Sequence, residues 1–175
     1  LALRAAVAAA EFGLPIAPGT LQNLKSCPID DRTWNDESRS LFLRLLASGP
    51  ALLQVWEEID FVDIPGRLIP EWLAIRNRPS ASAAHRYTID RHSVEVVTRL
   101  GRETPRGNRY DDRHYQALLM AGILHDIGKR PAVADHAAEG ARHASMVLKR
   151  MGFDRDIIWW VPLLEREHLT LSEFA

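Results

Sequence analysis

The sequence has a single cysteine, Cys27, so it can build neither a disulfide framework nor a cysteine-rich zinc site. A lone thiol fits a reducing compartment, and the cytoplasm is the expected location. Excess charge is lacking too: 22 Lys and Arg against 23 Asp and Glu leave a formal charge of −1. That balance gives no global pull toward nucleic acid or a membrane surface, and neither is expected as a partner. Long hydrophobic runs are also missing. The most apolar stretch, Leu1 to Phe12, is too short for a bilayer and is interrupted by Arg4 and Glu11. It carries no basic leader with a small-residue cleavage site, and reads as an amphipathic helix packed on its neighbours. Alternation of the strand type is not found, nor are repeats, a Walker loop, a dinucleotide fingerprint, an HExxH pair or a Gly-x-Ser-x-Gly elbow.

Helical periodicity is what the sequence does have. At 175 residues the chain suits one large domain, or one domain with a helical extension, and can bury roughly 70% of its unfolded surface. Residues 1–12 form the first expected helix, stopped by Gly13 and Pro15. A short helical turn comes next, around Thr20–Lys25. Asn35 or Asp36 caps the next helix, in which Leu41, Phe42, Leu45 and Leu46 recur at helical spacing. Gly49-Pro50 ends it, and Pro50 opens another through Trp56 and Ile59. Pro65-Gly66 and Pro70 break up the stretch containing Leu68, Ile69 and Trp72. The polar, small stretch Asn77–Ala84 is the best candidate boundary. Beyond it the spacing predicts helices near Asp90–Leu100, Asp112–Ile127, His136–Met151 and Arg155–His168. Trp159 and Trp160 are expected to fill a helix interface.

The seven histidines carry the chemistry: His85, His92, His114, His125, His136, His143 and His168. Imidazoles and carboxylates gathered on helices suit Mn, Mg, Fe, Co or Zn, and open positions on such a metal serve catalysis. The sharpest element is Leu118-Leu119-Met120-Ala121-Gly122-Ile123-Leu124-His125-Asp126-Ile127-Gly128-Lys129. Here an apolar helix delivers His and Asp side by side, about 100° apart around its axis. Gly128 is expected to accept the positive φ of a helix end. Spacing alone also allows His125 to neutralise a helix C-terminus, with Asp126 and Lys129 as solvated punctuation.

His92 before the apolar run Val94 to Val97, then His125-Asp126 with Gly128-Lys129, then Asp135-His136 leading to Gly140-Ala141, resembles the HD superfamily of metal-dependent phosphohydrolases. More closely, His85-Arg86-Tyr87-Thr88-Ile89-Asp90-Arg91-His92 resembles the segment before the first ligand in the PII-protein uridylyltransferase family. Gly49-Pro50, Gly66-Arg67-Leu68-Ile69-Pro70-Glu71 and Glu165-Arg166-Glu167-His168-Leu169-Thr170-Leu171 are similar to other parts of the same enzymes. The resemblance implies an all-α fold: an HD-domain helical bundle over 80–175, expected to be truncated at its C-terminal end, and an N-terminal helical extension over 1–79. It implies metal ligation by His92, His125 and Asp126, with His136 and His168 serving a second metal. It places His125, Asp126 and Lys129 in catalysis, and sets His85 and Lys129 to meet a phosphate. His114 and His143 are read as structural.

Two departures stand out. Glu167 occupies the position where the family usually has the first of two adjacent histidines. A further Asp ligand is expected downstream of Ala175, so the chain reads as a piece of a longer protein. The implied activity is removal of UMP or AMP from a tyrosine of the PII nitrogen-signalling protein, within a bifunctional nucleotidyltransferase whose absent C-terminal domains sense glutamine. The implied partners are PII and a nucleotide. Hydrolysis of a free nucleotide and a non-hydrolytic regulatory module remain alternatives, although Tyr87-Thr88-Ile89-Asp90 sets the chain apart from the alarmone and cyclic-dinucleotide hydrolases.

Overall fold

The computed structural model describes residues 1–29, 34–80, 87–103 and 112–168. Among them there is no strand; every regular element is a helix. In chain order these are α1 (Ala2–Phe12), α2 (Pro18–Ser26), α3 (Asp36–Leu46), α4 (Ala51–Phe61) and α5 (Ile64–Leu68). A 3₁₀ turn, Pro70–Ala74, leads to α6 (Ile89–Glu103), α7 (Arg113–Leu124), α8 (His136–Met151) and α9 (Arg155–Glu167). The all-α class expected from the sequence is the class observed.

The helix ends obey local chemistry. Gly13 closes α1 in the left-handed conformation, φ 62°, and its N–H donates to the Ala9 carbonyl, a position that strains any residue with a Cβ. Asn35 caps α3: its side chain accepts from the Ser38 N–H, and Ser38 Oγ accepts from the Asn35 N–H, both at 2.8 Å. Such a cap stabilises a helix by about 1 kcal/mol. The expected turn at Thr20–Lys25 is a longer helix, because Pro18 fits its first turn, where no N–H is needed.

α1 packs on α3 and α4, and these meet α6 and α7. One continuous apolar cluster runs from Leu3 in α1 to Val161 in α9. Its aromatic centre is Phe42, Trp56 and Trp72, with the two indoles 5.3 Å apart and edge to face, a favoured aromatic geometry. Polar ties join the N-terminal helices to the later ones. Arg150 forms a two-pronged ion pair with Glu71 at 2.8 and 2.6 Å, Arg39 donates to the Met151 carbonyl at 2.9 Å, and the Asn77 N–H donates to Asp90 at 2.8 Å. Of the boundary expected at 77–84, residues 81–84 lie outside the described residues.

Glu71 and Arg150 are both largely buried, at 10% and 21% side-chain exposure. Removing one charge of such a pair strands the other in a poor solvent for it. Glu71→Gln is therefore expected to cost about 2–4 kcal/mol, read as a lowered urea midpoint at unchanged slope.

Two expectations need correction. Trp159 is 64% exposed, while its neighbour Trp160 is half-buried and stacks on His114 at a ring separation of 4.6 Å. Consecutive helical residues sit about 100° apart, so the pair cannot face one interface together. Gly128, expected at positive φ, is not there; the positive-φ glycines among the described residues are Gly13, Gly49 and Gly152. Its requirement is space. A Cβ at 128 would lie 2.1 Å from the His136 carbonyl and 2.4 Å from the Gly140 N. The turn after His125-Asp126 is thus laid directly on the start of α8. Gly128→Ala is expected to destabilise by at least about 2–3 kcal/mol, since backbone rather than a pliable side chain opposes it, with a melting-temperature drop as the readout.

Candidate metal centre

Four helices deliver the site. α6 carries His92 near its N-terminal end. α7 stops at Leu124, His125 is its C-terminal cap, and Asp126 opens the turn beyond. His136 is the first residue of α8, where Asp135 caps the helix by accepting from the Ala138 N–H at 2.9 Å. His168 caps the end of α9. Packing of α6 on α7, α7 on α9, and α8 on α9 brings these ends together.

His92, His125 and Asp126 each offer a ligand atom, and the three atoms lie within 4.8 Å of one another. The rings of His92 and His125 are 5.1 Å apart and near perpendicular. His125 Nδ1 lies 2.9 Å from the Gly122 carbonyl, which can only accept, so Nδ1 carries the proton. Nε2 then faces Asp126, whose Oδ2 is 3.4 Å away. His168 is set in the same manner. Its Nδ1 donates to the Glu165 carbonyl at 2.5 Å, and Nε2 is 3.9 Å from Asp126 Oδ1, buried and without a hydrogen bond. Its ring is 5.8 Å from that of His125 and 6.1 Å from that of His136. A backbone carbonyl fixing one imidazole nitrogen so that the other faces the centre is the usual second layer of a metal site.

Asp126 is 1% exposed. Burial pushes its carboxyl up, but the hydrogen bond and charge of His125, and then those of Lys129, outweigh this and hold it well below the ordinary carboxylate range. Lys129 Nζ donates to Oδ2 at 2.9 Å and lies 2.8 Å from Oδ1. Burial pushes His168 down, helped by the charge of His125, so its ring tends toward the neutral form that binds metals.

The residues fit a divalent cation. Nε2 of both His136 and His168 is buried without a hydrogen-bond partner, and nitrogen plus carboxylate donors suit Mn, Fe, Co or Zn. His85 lies outside the described residues, as does the stretch after His168. His114 is exposed against Trp160, and His143 is buried with Nε2 2.8 Å from Glu139.

One buried acid of α9 escapes the sequence reading. Glu165, 1% exposed, lies a turn before His168, while Glu167 is exposed. Ile157, Val161 and Glu165 are the buried residues of α9, at i, i+4 and i+8. An acid continuing an apolar stripe was the available signal. Glu167 lies two residues on, about 200° around the axis.

Residues 89–172 match the family model of the HD domain. Over its whole length the chain is similar to a segment of bifunctional uridylyltransferase/uridylyl-removing enzymes. It is 39% identical to that of Streptomyces coelicolor, covering 100% of this chain and 20% of the relative. Identity is 36% to the Mycobacterium tuberculosis enzyme, with 98% and 20% covered, and 32% to the Corynebacterium glutamicum enzyme, with 100% and 24% covered. The chain thus spans about a fifth to a quarter of the length of these relatives. No solved structure matches it. Among the described residues no helix is long and apolar enough to cross a membrane.

Proposed function

We propose that the chain is the uridylyl-removing part of a bifunctional enzyme, hydrolysing the phosphodiester that joins UMP, or AMP, to a tyrosine of PII. The observation carrying this reading is the convergence of His92, His125 and Asp126 from separate parts of the chain in a protein similar along its whole length to such enzymes. His92, His125 and Asp126 would hold a divalent cation, with His136 and His168 lining the adjoining space. When bound, the metal lowers the pKa of a water toward about 7 and offsets charge developing on the phosphoryl group.

The protein's own part is orientation and charge. The Gly122 and Glu165 carbonyls lock the His125 and His168 rings, and Asp126 stays ionised across the working pH range. Lys129 fixes the Asp126 carboxylate and leaves positive charge beside the phosphate, where it favours an anionic transition state. A tyrosine phenolate leaves readily, so no strong general acid is required of the site. Glutamine would act through domains outside this chain.

The test is incubation of uridylylated PII with the Mn2+-loaded protein, measuring UMP released and unmodified PII formed. Release that depends on both Mn2+ and His125 is expected. Binding of modified PII without release, in a metal-loaded protein, would favour a regulatory module instead.

A further inference from the structure

Glu165 is 1% exposed, and neither of its carboxyl oxygens has a hydrogen-bond partner. It projects from the same side of α9 as His168, toward the crossing of Gly128 and Gly140. A Cβ on Gly140 would sit 3.2 Å from Glu165 Oε2. The charge of Asp126 disfavours a second anion at Glu165. Lys129 is engaged by Asp126. An apolar side chain would fill this place at lower cost, since a carboxyl removed from water without a partner is heavily penalised. Acceptors gathered with no donor to satisfy them are the complement of a cation. His168 Nε2, one turn further along α9 and 3.9 Å from Asp126 Oδ1, is another such atom.

We propose that Glu165 is an additional carboxylate of the metal centre, entering from α9 with His168 and facing the bound cation beside Asp126. This rests on the reading of the site as a metal centre. It adds a negative charge to the donor set, raising affinity for a divalent ion. It also accounts for a buried acid in a helical stripe otherwise made of Ile157 and Val161.

Mn2+ titration by calorimetry, paired with thermal unfolding with and without Mn2+, tests the proposal on the wild-type protein, Glu165→Gln and Glu165→Met. Both variants should bind Mn2+ at least tenfold more weakly, and the rise in melting temperature on adding Mn2+ should shrink. Metal-free Glu165→Met should melt above the metal-free wild type, because an unpartnered acid has been removed. Unchanged Mn2+ affinity in both variants, with the wild type binding normally, would overturn the role of Glu165 alone. A wild-type protein that binds no Mn2+ would overturn the metal-centre reading and the proposal together.

Discussion

Asp126→Asn is expected to empty the metal centre and lower UMP release by on the order of 10³-fold or more. Loss of an outer partner of a metal ligand typically costs about 10–100-fold, and Asp126 is the one carboxylate of the three-residue cluster. Asn keeps the volume and can still accept from Lys129, but it is neutral. The Coulomb attraction for a divalent ion is then lost in a site 1% exposed, where solvent screens little. Lys129 is left half-buried without a counter-charge, so a stability loss of about 1–3 kcal/mol should accompany the functional one. Metal per chain by plasma mass spectrometry and single-turnover UMP release measure the two effects. A variant with full metal content and slow release would shift Asp126 from ligation to a role in the chemical step alone.

The second large effect is a pH dependence of the metal-free protein. Glu165 is pushed up to about 9, chiefly by burial and then by the charge of Asp126. In the unfolded chain the same carboxyl ionises near 4.5. Between those values the unfolded state has released a proton that the folded state still holds. Stability should therefore be highest below about 4.5, as far as this group is concerned, and fall as pH rises toward about 9. Each pH unit crossed between the two ionisations removes about 1.4 kcal/mol, which makes the loss several kcal/mol in order of magnitude. His143 and His168, both lowered by burial, work in the opposite sense and gain stability as pH rises through the ordinary histidine range. The contribution of Glu165 is isolated by comparing the wild type with Glu165→Gln. The stability difference between them should slope downward from about pH 5 to 9 in chelator, and flatten when Mn2+ is present. A pH-independent difference would show that Glu165 does not stay protonated in the metal-free fold.

Much of this molecule is legible in its sequence because helical period, caps and breakers are local. Asn35, Pro50 and Gly13 mark helix boundaries by chemistry confined to a few residues, and the helix His136–Met151 has the expected ends. What the sequence could not disclose depends on contacts between distant segments. Gly128 looks like a helix stop in one dimension; only the arrival of α8 shows that its missing Cβ makes room for the His136 carbonyl and Gly140. Trp159 is apolar by composition, yet falls on the outer side of α9 because Trp160 takes the inner one. The doublet His125-Asp126 is conspicuous because both of its residues are chemically distinctive and adjacent. Glu165 is hidden among the charges of Glu165-Arg166-Glu167, and its burial comes from where α9 meets α8. The late acid that draws the eye, Glu167, faces solvent, while the quieter one is buried.

Binding of one divalent cation between His92, His125 and Asp126 is the point on which the metal-centre reading depends. Anomalous diffraction from Zn2+-loaded crystals reads it out without reference to activity. A peak is expected about 2.0–2.2 Å from a ring nitrogen of His92, a ring nitrogen of His125 and an oxygen of Asp126. Density for Zn2+ only at other surface residues, with these three side chains arranged as they are here and no metal between them, would contradict it.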